Sequence, residues 1–471
     1  MKRHILQTTL FCLLLLLALS HASSVLKRKE SDVKYQPFLR SGMEYDVLFM
    51  GNSHMVNGVF PMELWDQHGI AAYNIAGYGN TLPVSYWAMR NAFDYASPRL
   101  MVIDISNVSK EYKLTGSSGD LHKAFDSYPL SLNKLRAIHD LIDDPTLMDD
   151  SGVPYMDMKW EYILPLGKYH SRWNDLDRSD FHPNLTVQKG AEAIFNVAVP
   201  RAYEIFEDGY ATSETGFGFI YLRKIIEECR RRGIEILLVH LPFPTKAYQQ
   251  QDANAVRYIA EEYDVHFVDL AYMDQVVDYD TDLYDSSSHL NASSGQKVSD
   301  FIGKYIVDHY AVPDRRNDSR YSRWADDYAA YLQKKINDLR QQDSVSNVLM
   351  MLHDESFSLR LFIPSGSSLY MDDTLLLLMQ NIAREHVFEK DEFLKYSYAM
   401  YPLAALDEAV WSESDYFLSI DRSTGILFEA VGEQARTLGT ELFSEDDTAG
   451  LHMVLLDAEG ETELLRRSIP L

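Results

Sequence analysis

Two hydrophobic patterns follow one another along the chain, and the first is typical of a parallel α/β sheet. From residue 46 to about residue 312, short apolar runs alternate with stretches of helical periodicity. Runs of this kind predict strands that are buried on both faces and joined by covering helices. The predicted strands are residues 46–50, 71–75, 100–105, 234–240 and 265–269.

The alternation breaks down between about residues 110 and 214, where the sequence is polar and rich in aromatic residues. Segments of this length are uncommon in compact domains unless they form lids or binding surfaces, so we expect an insertion that covers the sheet edge. After residue 312, an apolar stripe at helical spacing predicts a connector over 313–345. Alternating strands and two hairpins then predict a smaller, β-rich α+β domain over 346–471.

An apolar leader occupies residues 1–26. Lys2, Arg3 and His4 precede a mainly apolar run over residues 5–26, and about 20 such residues suffice to cross a bilayer as a helix. We expect an uncleaved single-pass signal anchor; the alternative is a signal peptide whose cleavage site is Ser20-His21-Ala22, with small residues at its first and last positions. Basic residues before the run predict a cytoplasmic N-terminus and a body outside the membrane.

Charge and cysteine usage limit the possible partners. The formal net charge of -26 repels nucleic-acid phosphates, and the basic residues are not segregated, so we expect no nucleic-acid partner. Of the two cysteines, Cys12 lies in the leader and Cys229 stands alone in the folded part. An intramolecular disulfide is therefore excluded there, and no zinc-type spacing occurs. Nothing in the sequence calls for a metal or an organic cofactor.

Ser53 is the candidate nucleophile. It directly follows the first predicted strand, so it should lie at the carboxyl end of the sheet, where open α/β folds bind ligands. A serine becomes reactive when a base takes its proton and amide donors surround the oxyanion that forms. A serine at a strand end is also a common helix N-cap. Other sequence blocks are therefore needed to decide between a nucleophile and an N-cap.

Four sequence blocks, taken in order, resemble those of the SGNH (GDSL-like) hydrolase superfamily. The blocks are GNSH at 51–54, NIAGYGNT at 74–81, IDISN at 103–107 and YDSSSHLN at 284–291. The His-Leu-Asn ending resembles bacterial members associated with surface-polysaccharide O-acetylation and teichoic-acid D-alanylation. The resemblance covers about residues 45–310 without the insertion, and it implies a flavodoxin-like parallel sheet with helices on both faces. The SGNH-like domain would then span residues 27–312.

The resemblance also implies the roles of individual residues. Ser53 would be the nucleophile and His289 the base, while the backbone amide of Gly79 and the side-chain amide of Asn107 would bind the oxyanion. The third block departs from the Gly-x-Asn-Asp that is usual in the family, which puts the role of Asn107 in doubt.

The acid that orients His289 is left open by the sequence. The spacing from Asp285 to His289 is one residue longer than in the family, whose acid position holds Ser286 here. Either the turn bulges so that Asp285 still orients the imidazole, or Asp282 or a backbone carbonyl does so.

Three further residues are candidates for contact with substrate. Asn80 lies beside Gly79, while His170 and Arg172 belong to a Tyr-His-Ser-Arg-Trp stretch of the insertion. That stretch could present a cation and aromatic faces to a sugar. The alternative is that Arg172 and Trp173 pin the insertion to the body of the domain.

We therefore expect a serine esterase or O-acyltransferase that acts on acyl esters, in the first place acetyl esters, of a cell-surface or exported glycan. It would sit outside a bacterial cell membrane, or be secreted if the leader is cleaved. Anchored relatives often work beside a membrane-bound O-acyltransferase, and the sequence does not separate hydrolysis from transfer. The alternative function is a catalytically inactive glycan-binding or assembly protein with the same fold.

Overall fold

The computed structural model describes residues 2–115, 117–198, 209–272, 276–286, 288–367, 372–385, 414–443 and 450–470. The chain divides into two compact units, each made of three segments. The first unit comprises Met1–Glu192, Tyr203–Asp274 and Val298–Trp324. The second comprises Ala193–Ala202, Gln275–Lys297 and Ala325–Leu471.

The first unit contains a five-stranded parallel sheet with the strand order β2-β1-β3-β4-β5. Every residue of β1, β2 and β3 is buried, and since side chains alternate between the faces of a strand, both faces of the sheet are covered. This order is the flavodoxin-like one, so the predicted α/β class is confirmed. The strands are β1 (Val47–Met50), β2 (Ala72–Asn74), β3 (Leu100–Asp104), β4 (Glu235–His240) and β5 (His266–Asp269).

Helices precede, connect and follow these strands. Among the described residues, one helix is long and apolar enough to cross a membrane: Arg3–Leu26, with a mean hydropathy of 2.1. The helices up to β5, apart from those of the insertion, are α1 (Lys2–Leu26), α2 (Glu30–Arg40), α3 (Ser53–Gly58), α4 (Pro61–His68), α5 (Leu82–Ala92), α11 (Phe217–Arg232) and α12 (Ala247–Glu262). After β5 come α13 (Ala292–His309) and α14 (Ser322–Gln341).

The segment expected to be an insertion forms a set of short helices with an apolar core of its own. The core includes Phe125, Ile138 and Tyr162, and it packs against Trp87 of α5. Burial of these large side chains, rather than helix propensity, stabilises elements this short. The helices are α6 (Ser118–Phe125), α7 (Leu132–Ile142), α8 (Lys159–Ile163), α9 (Leu166–Tyr169) and α10 (Arg178–Phe181), with 3-10 turns at Tyr155–Met158 and His170–Asn174.

The second unit contains a five-stranded antiparallel sheet with the strand order β10-β9-β6-β7-β8. The predicted hairpin near residue 421 is present, because Asp421 of β7 pairs with Ile426 of β8. The predicted smaller α+β domain is thus confirmed in class. Its elements are α15 (Val345–Met351), β6 (Ser358–Ile363), α16 (Asp373–Glu385), β7 (Tyr416–Asp421), β8 (Ile426–Val431), α17 (Glu433–Leu442), β9 (Leu451–Leu456) and β10 (Glu463–Ile469).

Two segments that the sequence assigns to residues 27–312 group with this second unit instead. The backbone amide of Ala292 donates to the carbonyl of Ile194 at 3.0 Å, and the Asn381 side chain donates to Thr281 Oγ1 at 3.1 Å. Phe195 also packs against the apolar core that the second sheet shares with α15 and α16. Hydrogen bonds and apolar contacts distant in sequence therefore hold the described residues of these two segments, 193–198, 276–286 and 288–297, to the C-terminal part.

Candidate active site

Ser53 lies at the carboxyl end of β1, where α3 begins. The N-cap of α3 is Asn52, whose side-chain oxygen accepts a hydrogen bond from the backbone amide of His54 at 2.8 Å. Ser53 is half-buried. Because Asn52 caps the helix, the alternative reading of Ser53 as the N-cap is wrong, and its hydroxyl is not committed to that role.

A buried polar network lies behind the Ser53 block. The Asn52 amide donates to Ser106 Oγ at 3.0 Å, and Ser106 Oγ donates to Asp104 Oδ2 at 2.5 Å. Burial raises the pKa of the Asp104 carboxyl above its usual value. Gly51 has to be a glycine, because a Cβ there would come within 2.7 Å of Asp104 Cβ. The network fixes Asn52 and, through it, the start of α3.

The loop after β2 carries Gly79 and is joined to the Ser53 block by backbone hydrogen bonding. The amide of Gly77 donates to the carbonyl of Gly51 at 3.2 Å. Gly79 has a φ of +70°, and a Cβ on it would meet Asp120 Oδ2 at 2.5 Å. Both the conformation and the close approach require glycine here.

Asn80 and Asn107 are neighbours. The Asn107 side-chain amide donates to the carbonyl of Asn80 at 3.4 Å, a long hydrogen bond. The Asn80 side chain is 3% exposed, and its Nδ2 has no hydrogen-bond partner among the described residues. An unpaired buried amide costs about 1–3 kcal/mol and calls for an explanation. A donor kept for a ligand oxygen next to Gly79 is such an explanation.

Three side chains brace this loop. Lys34 Nζ donates to the carbonyl of Ala76, and burial lowers the pKa of Lys34 to about 7. Tyr78 donates through its hydroxyl to Glu192 Oε2 at 2.9 Å. Asn57 in turn donates to the Tyr78 hydroxyl at 2.9 Å. Sequence reasoning missed these contacts, because no local pattern links residues so far apart in the chain.

The structure brings Asp285 to His289. Asp285 Oδ2 lies 2.6 Å from His289 Nδ1, and Asp285 Oδ1 accepts the backbone amides of Ser288 and His289 at 2.7 and 3.2 Å. The turn therefore takes up the extra residue and still presents a carboxylate to the imidazole. Ser288 Oγ lies 3.0 Å from the same ring nitrogen and is a second possible partner for it.

Asp282, the other acid considered, is engaged elsewhere. Its carboxylate is fully buried and forms a salt bridge with Lys297 at 2.9 Å. It also accepts the backbone amide of Asp278 at 2.8 Å. Of the alternatives left open by the sequence, the structure thus favours Asp285 as the group that orients His289.

Ser53, Gly79, Asn80 and Asn107 belong to the first unit, whereas Asp285 and His289 belong to the second. Hydrogen bonds in the first unit link the segments that carry Ser53, Gly79 and Asn107, and in the second unit Asp285 contacts His289. The pairing of the Ser53 hydroxyl with the His289 imidazole stays a prediction.

Arg172 makes its contacts inside the first unit. Its Nη1 donates to the carbonyl of Leu26 at 2.7 Å, and its Nη2 contacts both carboxylate oxygens of Asp180, at 2.9 and 3.1 Å. These contacts support the alternative in which Arg172 pins the insertion, here to the end of α1. His170 is exposed, and its Nδ1 contacts the carbonyl of Gly167 at 2.8 Å.

Another histidine–carboxylate pair lies within the first unit, at the carboxyl ends of β4 and β5. His240 Nδ1 is 2.9 Å from Asp269 Oδ1, and the two residues are register partners at the ends of β4 and β5. His240 is only 1% exposed. The pair is therefore buried, and it links the ends of the two strands.

The described residues contain no group of three or more His, Cys, Asp or Glu side chains that could hold a metal ion. No protein-family model matches the chain, and no curated protein does. Among solved structures, the chain is similar to a Bacteroides fragilis protein provisionally assigned as an acylhydrolase. The TM-score is 0.28 and the identity 12%, and the match covers 59% of this chain and 97% of that chain.

Proposed function

We propose that the protein is a serine esterase or O-acyltransferase in which Ser53 is the nucleophile and His289 the general base. The observation that carries the proposal is the 2.6 Å contact between Asp285 Oδ2 and His289 Nδ1. A carboxylate that accepts the Nδ1 proton leaves Nε2 unprotonated, and Nε2 is then the atom that can take a proton from a serine.

The reaction would proceed in two halves. Ser53 Oγ attacks the acyl carbon while its proton moves to His289 Nε2. The negative charge that develops on the acyl oxygen is stabilised by the Gly79 backbone amide and by the side-chain amides of Asn80 and Asn107. The intermediate expels the alcohol, which takes the proton from His289, and leaves an acyl-Ser53. Water or a sugar hydroxyl then accepts the acyl group by the same steps in reverse.

The proposed substrate is an acyl ester, in the first place an acetyl ester, of a cell-surface or exported glycan. The apolar helix α1 supports this assignment, because an anchor or export signal would place the catalytic body outside a bacterial membrane. A membrane-bound O-acyltransferase would be the expected partner. The inactive-binding alternative rested on the shifted acid and on the atypical third block at 103–107. The contact between Asp285 and His289 weakens the first of these grounds and leaves the second.

The test is turnover of a small acetyl ester by Ser53→Ala. We expect activity to fall to background while the circular dichroism spectrum and the melting temperature stay at wild-type values. Ser322→Ala is the matched control, because Ser322 is likewise the first residue of a helix, α14, and is exposed. Wild-type turnover by Ser53→Ala would overturn the proposal.

A further inference from the structure

The last turn of α1 is hydrogen-bonded into the insertion. Ser23 Oγ accepts the backbone amide of Leu166 at 3.1 Å, and Arg172 donates to the carbonyl of Leu26 at 2.7 Å. Lys29 Nζ donates to two more carbonyls of that turn, at 2.8 and 3.0 Å. The carbonyls at a helix end have no partners within the helix, and here basic side chains supply them.

The length of α1 places this turn at the level of the lipid headgroups. A hydrocarbon core of about 30 Å takes about 20 helical residues at about 1.5 Å each. Counted from Ile5, the first apolar residue of the run, such a span ends near residue 24. Only 6% of the apolar window is buried within the protein. Groups that contact Ser23 and Leu26 would therefore lie at the membrane–water interface.

Large aromatic side chains are exposed on two elements that contact α1. Trp173, in the 3-10 turn next to α9, is 67% exposed, and Phe181, in α10, is 57% exposed. The 3-10 turn and α10 both contact α1. Trp173 directly follows Arg172, whose guanidinium is fixed on the end of α1. Exposed tryptophan beside the end of an apolar span is the arrangement of interfacial aromatic belts.

We propose that the face of the insertion carrying Trp173 and Phe181 is a membrane-contact surface whose partner is the lipid bilayer. The two side chains enter the headgroup region of the leaflet in which α1 ends, and the contacts of Arg172 and Lys29 with α1 keep the first unit in one orientation to the membrane. A high negative net charge opposes adsorption to anionic lipid, so the binding energy comes from apolar and aromatic insertion. The proposal requires α1 to be retained as an anchor, and it does not depend on the chemistry at Ser53.

The test uses the full chain reconstituted into phosphatidylcholine vesicles. Trp173→Cys and Phe181→Cys, in a Cys12→Ser background, are labelled with a nitrobenzoxadiazole (NBD) probe whose emission shifts to the blue in an apolar environment. Cys229 stays unlabelled, since it is buried and burial raises the pKa of its thiol to about 12. The matched control is Tyr258→Cys, an exposed position, at 54%, on α12, which packs against β5.

We expect blue-shifted emission at positions 173 and 181, quenched by lipids that carry a spin label in the headgroup, and water-like, unquenched emission at position 258. Water-like emission at all three positions would overturn the proposal. A blue shift without quenching by lipid would also overturn it, because it would assign the surface to a protein partner or a second copy. The proposal would also be overturned if the protein purified from membranes began after residue 22, because the leader would then have been cleaved and α1 would not be an anchor. A second measurement uses the unlabelled chain: spin-labelled lipid should quench part of its tryptophan fluorescence, and Trp173→Phe should remove that quenchable part.

Discussion

Replacing Asp285 by Asn tests whether the carboxylate holds the His289 imidazole in the tautomer whose Nε2 can accept a proton. The carboxylate accepts the Nδ1 proton of His289 at 2.6 Å. An Asn amide at the same place can donate to Nδ1 and so favour the tautomer whose Nε2 already carries a proton. That tautomer cannot take the proton of Ser53, and in a serine protease the corresponding change costs about 10⁴-fold in kcat.

The expected magnitude here is smaller. The side chains of His289 and Asp285 are 20% and 32% exposed, so water competes for the ring nitrogen, and we expect kcat/KM to fall about 10³-fold, which is about 4 kcal/mol of transition-state stabilisation. Asp285→Ala should cost less, about 10- to 100-fold, because it introduces no competing donor. Ser288 Oγ, 3.0 Å from Nδ1, could then accept the proton.

The assay is steady-state hydrolysis of a chromogenic acetyl ester, with the melting temperature measured for each variant. Asp282→Asn is the control: it breaks the buried salt bridge with Lys297, so it should lower the melting temperature and leave kcat/KM of the folded enzyme unchanged. Wild-type kcat/KM for Asp285→Asn would refute the role of Asp285. An Asp285→Ala variant slower than Asp285→Asn would refute the tautomer argument.

Two further predictions concern the loop after β2. Gly79→Ala and its control Gly152→Ala both place alanine at a positive φ, +70° and +75°, which costs about 1–2 kcal/mol each. Only at Gly79 does the new Cβ meet Asp120, so we expect esterase activity to fall more in Gly79→Ala than in Gly152→Ala. Equal loss of esterase activity in the two variants would contradict a role for the Gly79 amide. Lys34 loses its proton near pH 7 when folded and near 10.5 when unfolded, so the unfolded chain binds more protons between these values and stability rises with pH. Lys34→Met should therefore raise the melting temperature most below pH 7 and progressively less towards pH 10, and a gain that does not change with pH would contradict the burial of that charge.

The parallel sheet could be predicted because its strands are continuous apolar runs. The run at 46–50 becomes β1 (Val47–Met50), and the run at 265–269 becomes β5 (His266–Asp269). Strands buried on both faces carry this signal in their own residues. Gly79 could likewise be singled out in the block at 74–81, and its φ of +70° is one that favours glycine.

The rest depends on contacts between residues far apart in the chain. The insertion core joins Trp87 to Phe125 and Tyr162, and no periodicity in short helices predicts such a cluster. The second unit is made of three chain segments that are held together by long-range contacts, so the sequence pattern did not predict it either. The orientation of His289 by Asp285 was undetermined, because spacing alone does not reveal a turn in which one carboxylate oxygen accepts two backbone amides and the other contacts the ring.

The most direct test of the central claim is covalent labelling with a serine-directed fluorophosphonate, followed by mass-spectrometric identification of the modified residue. An activated serine reacts, and a serine without a base does not. We expect one adduct on Ser53 in the wild type, and none in His289→Ala under conditions where the protein is folded. An unlabelled wild type, or equal labelling of Ser53 with and without the His289 imidazole, would contradict the account.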